Sequence, residues 1–424
     1  MDKRIGNLFK GDKVIWMVFF FLCMISIIEV FSASSNLTYK SNSFFMPMLK
    51  HSGMLLVGFI VAVVTMNVPC RYFKLATPFL ILISFGLLVW VIIGGESING
   101  ANRVIQIGST TFQPSEIAKG TTILCVAQIL SAMQTDEGTE KNAFKYIIIV
   151  TLLMAIPIML ENLSTAALLC LVVFLMMIIG QVPWRQLGKL VGVVLLGLVM
   201  IYAFVMLVGK DTDKEHPELS KTEKIQKDQE DKEDKGFIAK MFHRADTWKA
   251  RIDKFSDDKE VSPKDFDLRN NTQVAYANIA IVSSNIIGRG PGNSEERDFL
   301  PQAYSDFIFA IIIEEMGLLG ASFVVFLYIV LLFRTARIAR RCENNFPAFL
   351  AMGLALLLVV QATFNMMVAV GFVPVTGQPL PLISRGGTST IINCAYIGAI
   401  LSVSRTAKVN PDIAPEDKTD QATA

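Results

Sequence analysis

Residues 14–33 read VIWMVFFFLCMISIIEVFSA, an apolar run long enough to cross a lipid bilayer as one helix. Runs of this kind recur along the 424-residue chain, with short polar breaks between them. A basic leader precedes the first run, as in a signal peptide, but the run is longer than a signal-peptide core and further runs follow it. We therefore expect a retained first helix in a chain whose solvent is the bilayer.

The composition supports the same conclusion and limits the partners. The chain is 52% hydrophobic and 18% charged, which is too apolar for an ordinary soluble protein of this length. The net charge is +2, and the basic residues are scattered at helix ends instead of forming a stripe, so nucleic acid is not an expected partner. The six cysteines lie in apolar runs or beside basic loops and indicate neither a disulfide framework nor a metal cluster.

The apolar runs predict an all-α, polytopic membrane protein with about ten transmembrane helices. The runs are residues 14–33, 48–68, 73–94, 117–133, 146–160, 163–181, 187–208, 305–333, 346–370 and 386–404. If both termini are cytoplasmic, the lysines and arginines that flank these runs fall on one side of the membrane. The predicted order is a cytoplasmic N-terminus at 1–13, helices 1–7 within 14–208, a large extracytoplasmic loop at 209–304, helices 8–10 within 305–404, and a cytoplasmic tail at 405–424.

The loop between helices 7 and 8 begins with a charged insert. Residues 210–235 are about two-thirds charged, with both signs mixed, a composition that cannot bury a core. We expect this insert to be mobile or loosely helical and assign it no chemistry. Residues 237–255 are more amphipathic, and residues 272–287 are rich in small and apolar side chains, so this later part of the loop is predicted to lie along the membrane surface.

A glycine-rich turn follows, in which residues 288–294 read GRGPGNS. Glycines let the backbone approach a ligand closely, so Gly288, Gly290 and Gly292 are candidate contacts to a phosphate or a sugar. A flexible turn before a helix is the alternative interpretation. The turn does not follow a predicted strand, which excludes a dinucleotide-binding fingerprint.

An aspartate lies where the loop meets helix 8, in the segment LPQAYSDFIFA at residues 300–310. Asp306 is predicted to lie in the first helical turn, where an acidic side chain complements the helix dipole. A partly desolvated carboxylate at the bilayer edge can also accept a proton from a sugar hydroxyl, so a general base is the second interpretation. Asp298 is a secondary candidate that could tune this base or hold a metal, with a solvated surface acid as the alternative.

Three further charged candidates precede and open helix 4. Glu116 and Lys119 are three residues apart on a helix and share one face, so they either pair with each other after the break at Pro114 or meet charged groups of a substrate. Arg103 is a candidate partner for a diphosphate, because a guanidinium binds phosphate oxygens through a planar fork. Anchoring of lipid headgroups is the alternative for Arg103.

The last motif links helices 9 and 10, where residues 374–389 read PVTGQPLPLISRGGTS. So many prolines and glycines cannot form a lipid-facing helix, so this backbone must be buried in protein or line a polar cavity. Ser384, Gly386 and Gly387 are its candidate substrate contacts. Upstream, Gln361 and Asn365 are four residues apart and predict interhelical hydrogen bonds, with substrate contact as the alternative.

In combination and order, these motifs resemble the SEDS family (shape, elongation, division and sporulation). The resemblance covers residues 14–405 and rests on the glycine-rich turn, the segment around Asp306, EEMG at 314–317 and the late proline and glycine run. It implies ten spans and a peptidoglycan glycosyltransferase that polymerises lipid II. It further implies that Asp306 is the catalytic base and that a class B penicillin-binding protein is the transpeptidase partner.

Within the family, the motif LPLIS at 380–384 and the hydrophilic tail are more similar to those of the division-type members than to those of the elongation-type members. The resemblance therefore implies the cell inner membrane, the division septum and other division proteins as partners. Three features depart from the family pattern. Asn162 stands where the family usually has aspartate and is not expected to act as an acid or base, Arg385 stands where it usually has tyrosine, and the insert 210–235 enlarges the loop.

The expected reaction needs a base and cationic groups. Asp306 would deprotonate the 4-hydroxyl of the acceptor sugar, which attacks the anomeric carbon of the lipid-linked donor with inversion and expels undecaprenyl diphosphate. Arg103 and Lys119 are the main candidates to stabilise the leaving charge, and the loop arginines Arg244 and Arg251 are secondary ones. A divalent cation, Mg²⁺ or Mn²⁺, is a further candidate for this role.

Two other classes of function compete with a polymerase. Many spans, intramembrane charges and a broken backbone also describe a transporter that flips lipid II. The polar motifs cluster on the outer side and no internal repeat is evident, which favours the polymerase. A scaffold that only recruits the transpeptidase is the third interpretation, and it predicts that replacing Asp306 costs no catalysis.

Overall fold

The structure, a computed structural model, describes residues 11–33, 46–94, 96–98, 101–107, 110–136, 138–208, 272–300 and 303–407. The charged insert 210–235, Arg244 and Arg251 lie outside these residues, as do most of the loop before residue 272 and the tail after residue 407. Within the described part the chain is mainly helical, which confirms the all-α prediction.

The helices are, in chain order, α1 Lys13–Ala33, α2 Met46–Asn67, α3 Cys70–Gly94, α4 Pro114–Ala132, α5 Lys141–Glu161, α6 Leu163–Ile179, α7 Trp184–Val208, α8 Thr272–Ser283, α9 Ile308–Ala339, α10 Asn345–Ala369 and α11 Thr388–Thr406. All of them except α8 overlap one of the predicted apolar runs. Six helices, α1, α2, α3, α5, α9 and α10, are long and apolar enough to cross a membrane. The protein is therefore a polytopic membrane protein, and the number of ten spans stays a prediction.

Short strands between α3 and α4 were not predicted. Strands β1 Glu96–Ile98, β2 Ala101–Ile107 and β3 Thr110–Phe112 form an antiparallel sheet in the order β1-β2-β3. A two-stranded pair, β4 Gln134–Thr135 and β5 Gly138–Thr139, follows α4. Strands β1, β3, β4 and β5 have only two or three residues, too few to show the alternation by which a strand is recognised in a sequence.

Helix α10 lies at the centre of the bundle and packs against α4, α6, α9 and α11. Small residues permit the close approach of α2 and α11, as is common between membrane helices. A Cβ atom on Gly58 would lie 2.7 Å from the Cys394 sulfur, and one on Gly398 would lie 2.5 Å from the Ala62 carbonyl oxygen. Larger residues at these two positions would separate the helices.

One end of the bundle is joined by an ionic contact at the start of α1. The Asp12 carboxylate accepts hydrogen bonds from the backbone N–H groups of Val14 (2.9 Å) and Ile15 (3.3 Å) and so caps the helix. The same carboxylate pairs with Arg334 of α9 at 2.7 Å, and the Asp12 N–H donates to the Ser404 hydroxyl of α11 at 3.0 Å. Three helices that are distant in sequence therefore meet at Asp12.

Helix α9 is broken near its first third. Gly317 has φ 68° and ψ −173°, outside the helical region, so the helix is kinked there. A Cβ atom on Gly317 would lie 2.4 Å from the Gly288 backbone nitrogen and from the Ile286 carbonyl oxygen. The kink therefore accommodates the glycine-rich turn, which packs directly against it.

Large apolar side chains remain exposed on helix faces that are turned away from neighbours, as expected where lipid replaces water. Among the most exposed are Leu56, Leu82, Trp90, Ile93, Phe326 and Phe333.

Candidate active site

Asp306 lies in a turn directly before α9, whose N-cap is Phe307. The prediction that Asp306 lies in the first helical turn is therefore wrong, since it precedes the cap by one residue. The physical reason is that its carbonyl oxygen accepts a hydrogen bond from Asn365 Nδ2 at 2.9 Å, outside the helical pattern. Its carboxylate is half-buried and accepts a hydrogen bond from the Ser305 hydroxyl at 2.9 Å.

The segment at 374–389 packs against this turn. Residues 380–384 are all buried, which confirms that this proline-rich backbone is enclosed by protein. The Ser384 hydroxyl donates to the Ser305 carbonyl oxygen at 2.6 Å and accepts from the Leu380 N–H at 2.8 Å. Because a hydroxyl has a single proton, Ser384 serves here as an anchor for the neighbouring backbone.

Gly386 and Gly387 have conformational roles at the start of α11. A Cβ atom on Gly386 would lie 2.1 Å from the Ser389 hydroxyl oxygen, and Gly387, the N-cap, has φ 57°. The Thr388 hydroxyl donates to the Thr111 carbonyl oxygen of β3 at 2.9 Å. Strand β3 pairs with β2, which carries Arg103, so the sheet is attached to this segment, while substrate binding by these residues stays a prediction.

Glu116 and Lys119 form a buried ion pair, one of the two interpretations of their spacing, while contact with a substrate stays a prediction. Lys119 Nζ lies 2.8 Å from Glu116 Oε1, and the two side chains are 0% and 1% exposed. The ammonium also donates to Gln361 Oε1 at 2.7 Å, and Gln361 Nε2 donates to the Pro379 carbonyl oxygen at 3.1 Å. The pair therefore connects α4 through α10 to the segment 374–389, and the predicted interhelical role of Gln361 is confirmed.

Asn365 and Gln378 complete the connections around the Asp306 turn. Besides its bond to Asp306, Asn365 Nδ2 donates to the Gln378 carbonyl oxygen at 2.7 Å, so this side chain bonds a turn and an irregular segment and not, as predicted, another helix. Gln378 Nε2 donates to the Thr165 hydroxyl of α6 at 2.6 Å. Nearby, Asn162 caps α6 by accepting the Ser164 N–H at 3.0 Å, a role that needs no titratable group.

The glycine-rich turn binds the kink of α9 through its backbone. Gly288, Gly290 and Gly292 have φ values of 81°, 90° and 84°. The Gly290 N–H donates to the Glu315 carbonyl oxygen at 2.8 Å, and a Cβ atom on Gly288 would lie 2.3 Å from that oxygen. Close packing therefore explains Gly288, and the positive φ values explain Gly290 and Gly292. Contact with a phosphate or a sugar stays a prediction.

The carboxylates of Glu314 and Glu315 hold the same turn and were assigned no role from the sequence. Both side chains are 0% exposed. Glu315 accepts the N–H groups of Gly292 (2.8 Å) and Ser294 (3.3 Å), and Glu314 accepts the Glu295 N–H (2.9 Å) and the Ser294 hydroxyl (2.5 Å). Two adjacent acids inside an apolar run were the available signal, because ionisable residues at membrane depth require specific partners.

The acidic and basic residues beside this turn shift one another's protonation. Burial raises the pKa of Glu296, and the neighbouring carboxylates of Glu314 and Glu295 raise it further. A hydrogen bond to Glu295 raises the pKa of Arg289, whose Nη1 lies 2.7 Å from that carboxylate. Several charged side chains thus lie close together beside the glycine-rich turn. Among them, Glu296 is held closer to its neutral form than an isolated glutamate.

Asp298 ends the short 3-10 turn Glu296–Asp298, where it is exposed and lies 4.0 Å from Arg297 Nε. In the described ranges, no three histidine, cysteine, aspartate or glutamate side chains come together in a way that could hold a metal ion. The described side chains therefore form no preassembled cluster of three such ligands, and a divalent cation stays a prediction.

Taken together, the fold and the site define a polytopic helical membrane protein with a half-buried aspartate on a turn that two neighbouring segments hold, directly before a kinked helix. The family model FTSW_RODA_SPOVE, described as "Cell cycle protein", matches residues 12–224 and 235–409, and the chain belongs to this family. The unmatched residues 225–234 fall inside the charged insert.

Relatives and one solved structure agree with this family. The chain is 27% identical to the probable peptidoglycan glycosyltransferase FtsW of Coxiella burnetii over 92% of this chain and 95% of that protein. It is 28% identical to the peptidoglycan glycosyltransferase MrdB of Escherichia coli K12 over 83% of this chain and 84% of that protein. A chain of a peptidoglycan synthase complex, 23% identical, has the same fold with a TM-score of 0.66 over 94% of this chain and 99% of that one. The predicted resemblance to FtsW-like members of the SEDS family is confirmed.

Proposed function

We propose that this chain is a peptidoglycan glycosyltransferase that polymerises lipid II into glycan strands during cell division and releases undecaprenyl diphosphate. The glycosyltransferase activity follows from the family together with relatives named for it. Neither a lipid II flippase nor a pure scaffold finds support among these relatives. A RodA-type elongation polymerase is the remaining alternative, and the wording of residues 380–384 favours the division type.

The observation that carries the assignment of Asp306 is the anchoring of its turn. Asn365 holds the Asp306 carbonyl oxygen, and Ser384 holds the adjacent Ser305 carbonyl oxygen. A base must be held close to the proton that it accepts, so a carboxylate on a turn fixed from two sides meets the geometric requirement. In the proposed step, Asp306 accepts the proton of the acceptor 4-hydroxyl, a bond forms from O4 to the anomeric carbon, and the bond to the diphosphate oxygen breaks.

The proposal separates the roles of the cationic residues. Lys119 is fully buried and bound to Glu116 and Gln361, so we assign it the positioning of α10 and the segment 374–389. Arg103 lies on β2, which pairs with β3, the strand that is bonded to that segment through Thr111, and Arg103 is proposed to stabilise the departing diphosphate. Arg244 and Arg251 remain secondary candidates for the same role.

We further propose a class B penicillin-binding protein as partner, with location in the inner membrane at the septum among other division proteins. The structural neighbour is described as coordinating polymerisation and crosslinking in a peptidoglycan synthase complex, which supports a transpeptidase partner for this fold.

The test is polymerisation of labelled lipid II by the full chain bound to its transpeptidase partner. Wild type should form glycan strands, and Asp306→Asn should lose about 10²-fold to 10⁴-fold in rate, the usual contribution of general base catalysis. Exposed Asp136, on the β4–β5 turn, supplies the matched control Asp136→Asn, which should behave as wild type. Equal polymer from wild type and Asp306→Asn would reject Asp306 as the base, whereas flipping of lipid II without polymer would favour a transporter.

A further inference from the structure

The guanidinium of Arg385 is a cation that the described part of the protein leaves unmatched. Its Nη1 atom is shielded from solvent and has no hydrogen-bond partner. The ion pairs among the described residues do not include Arg385. Shielding the Nη1 donors from water without an acceptor costs free energy, although the Arg385 residue as a whole is half-buried. A ligand with several acceptor oxygens would recover that cost.

The position of Arg385 relative to the Asp306 turn is defined by two contacts with Tyr304. The backbone N–H of Arg385 donates to the Tyr304 carbonyl oxygen at 3.0 Å. The guanidinium carbon lies 5.5 Å from the centroid of the Tyr304 ring, within the range of a cation–π contact. Tyr304 is two residues before Asp306, so the unmatched cation lies over the turn that carries the proposed base.

The backbone on both sides of Arg385 is held in place. The Ser26 hydroxyl donates to the Ile383 carbonyl oxygen at 2.7 Å, so the hydrogen bond of 2.7 Å between Ser26 and His51 Nε2 must be donated by the imidazole. Ser384 is bound to the Ser305 carbonyl oxygen, and Thr388 to that of Thr111. A cation on so constrained a segment loses little freedom when it binds a ligand.

The reaction indicates which ligand this cation meets. In an inverting displacement, the base and the departing group flank the same anomeric carbon. A cation that serves the departing group must therefore lie near the base without pairing with it. Arg385 meets both conditions, because it contacts the Asp306 turn and forms no ion pair with a described carboxylate. Guanidinium groups bind phosphate oxygens in a bidentate way, which makes the departing group a good match.

We propose that Arg385 binds the diphosphate of the lipid-linked donor and of the released undecaprenyl diphosphate. The assignment of Arg385 rests on the proposed function, because the lipid-linked donor is the substrate named there. Arg385 is thereby a substrate-binding residue. The sequence alone shows only that it departs from the family pattern at this position.

The experiment uses the full chain with its transpeptidase partner in phosphatidylcholine nanodiscs. Binding of undecaprenyl diphosphate is measured directly, and KM and kcat are measured with lipid II. Arg385→Gln should weaken undecaprenyl diphosphate binding and raise KM by about tenfold or more, as loss of a charge-assisted hydrogen bond does. Arg385→Lys should keep part of the affinity, because a lysine retains the charge without the planar fork.

The matched control is Arg71→Gln, since the exposed Arg71 guanidinium lies over the ring of its neighbour Tyr72 at 4.9 Å, at the end of α3 opposite to the one that leads into β1. This variant should bind and turn over as wild type. Unchanged undecaprenyl diphosphate affinity in Arg385→Gln, with or without a lower Tm, would reduce Arg385 to a structural brace and overturn the proposal. If Arg385→Gln does not fold, Arg385→Lys decides by the same affinity measurement.

A phospholipid headgroup offers the same phosphate chemistry, so the binding measurement is repeated with phosphatidylglycerol added to the nanodiscs. If Arg385→Gln alters retention of phosphatidylglycerol but not of undecaprenyl diphosphate, the guanidinium serves a headgroup and the assignment is wrong. If undecaprenyl diphosphate binding depends on Arg385 while wild type forms no glycan, the proposed function fails and the diphosphate site stands.

Discussion

Asn365, on the central helix α10, donates a hydrogen bond from its side-chain amide to the carbonyl oxygen of Asp306 at 2.9 Å. The same nitrogen donates to the Gln378 carbonyl oxygen at 2.7 Å. Two carbonyl acceptors require the nitrogen on this side of the amide, so the orientation of Asn365 is set by the network. One side chain therefore joins α10, the Asp306 turn and the segment 374–389.

Replacing Asn365 with leucine should mainly lower kcat. Leucine has a similar volume but no donor, so the Asp306 turn loses its link to α10, and a displacement of about 1 Å can cost about 10²-fold in rate. The measurement is the rate of lipid II polymerisation over a range of substrate concentrations. Thr363→Ala, on the exposed side of α10, is the control that should keep both constants. A rise in KM alone would show that Asn365 contacts substrate instead of positioning the turn.

Replacing Lys119 with methionine should destabilise the protein strongly. The substitution leaves the Glu116 carboxylate buried without its counter-charge, a change that costs about 3–5 kcal/mol. The double variant Glu116→Gln with Lys119→Met should lose less, because no charge then remains buried. Thermal unfolding in detergent gives the comparison, with exposed Lys189→Met as control. A double variant less stable than Lys119→Met would show that the ion pair is not the source of the effect.

Alanine substitutions at Gly288 and Gly292 of the glycine-rich turn and at Gly317 of the α9 kink should destabilise the protein to different degrees. At Gly288 and Gly317 a Cβ atom would lie 2.3 Å and 2.4 Å from backbone atoms, so Gly288→Ala and Gly317→Ala should not yield folded protein. At Gly292 no atom lies within 4 Å, so Gly292→Ala should cost only the backbone strain of about 1–2 kcal/mol. The yield of monodisperse protein and its Tm test this order. Equal losses at all three positions would contradict the packing of the turn on the kink.

Replacing Glu296 with glutamine should stabilise the folded protein at neutral pH but not at pH 4. The pKa of Glu296 is raised above its usual 4.5, first by burial and then by Glu314 and Glu295. The folded state therefore holds this proton more tightly than the unfolded state, and stability is lost as pH rises from 4.5 through the raised pKa. Tm values should differ between Glu296→Gln and wild type at pH 7.5 and converge at pH 4. An equal difference at both pH values, or the same effect from exposed Glu343→Gln, would refute this cause.

The sequence by itself determined the class of fold. In lipid, each backbone N–H and C=O must be bonded within the segment, so an apolar run of about 20 residues forms a helix whatever surrounds it. Local spacing also placed Glu116 and Lys119 on one helix face, because residues three apart on a helix are neighbours, but it left pairing and substrate contact as alternatives. The enclosure of residues 380–384 followed from the prolines and glycines of the longer segment 374–389, which exclude a lipid-facing helix.

Only the tertiary structure decided which distant side chains meet. Asp306 and Asn365 are 59 residues apart, and Lys119 and Gln361 are 242 apart. Such contacts leave no local periodicity, since each partner is chosen by helix packing and not by its neighbours in the chain. The same reason explains why the packing role of the glycine-rich turn and the unmatched guanidinium of Arg385 became visible only in the folded chain. Whether a side chain finds a partner depends on all the residues around it, and these come from segments that are far apart in the sequence.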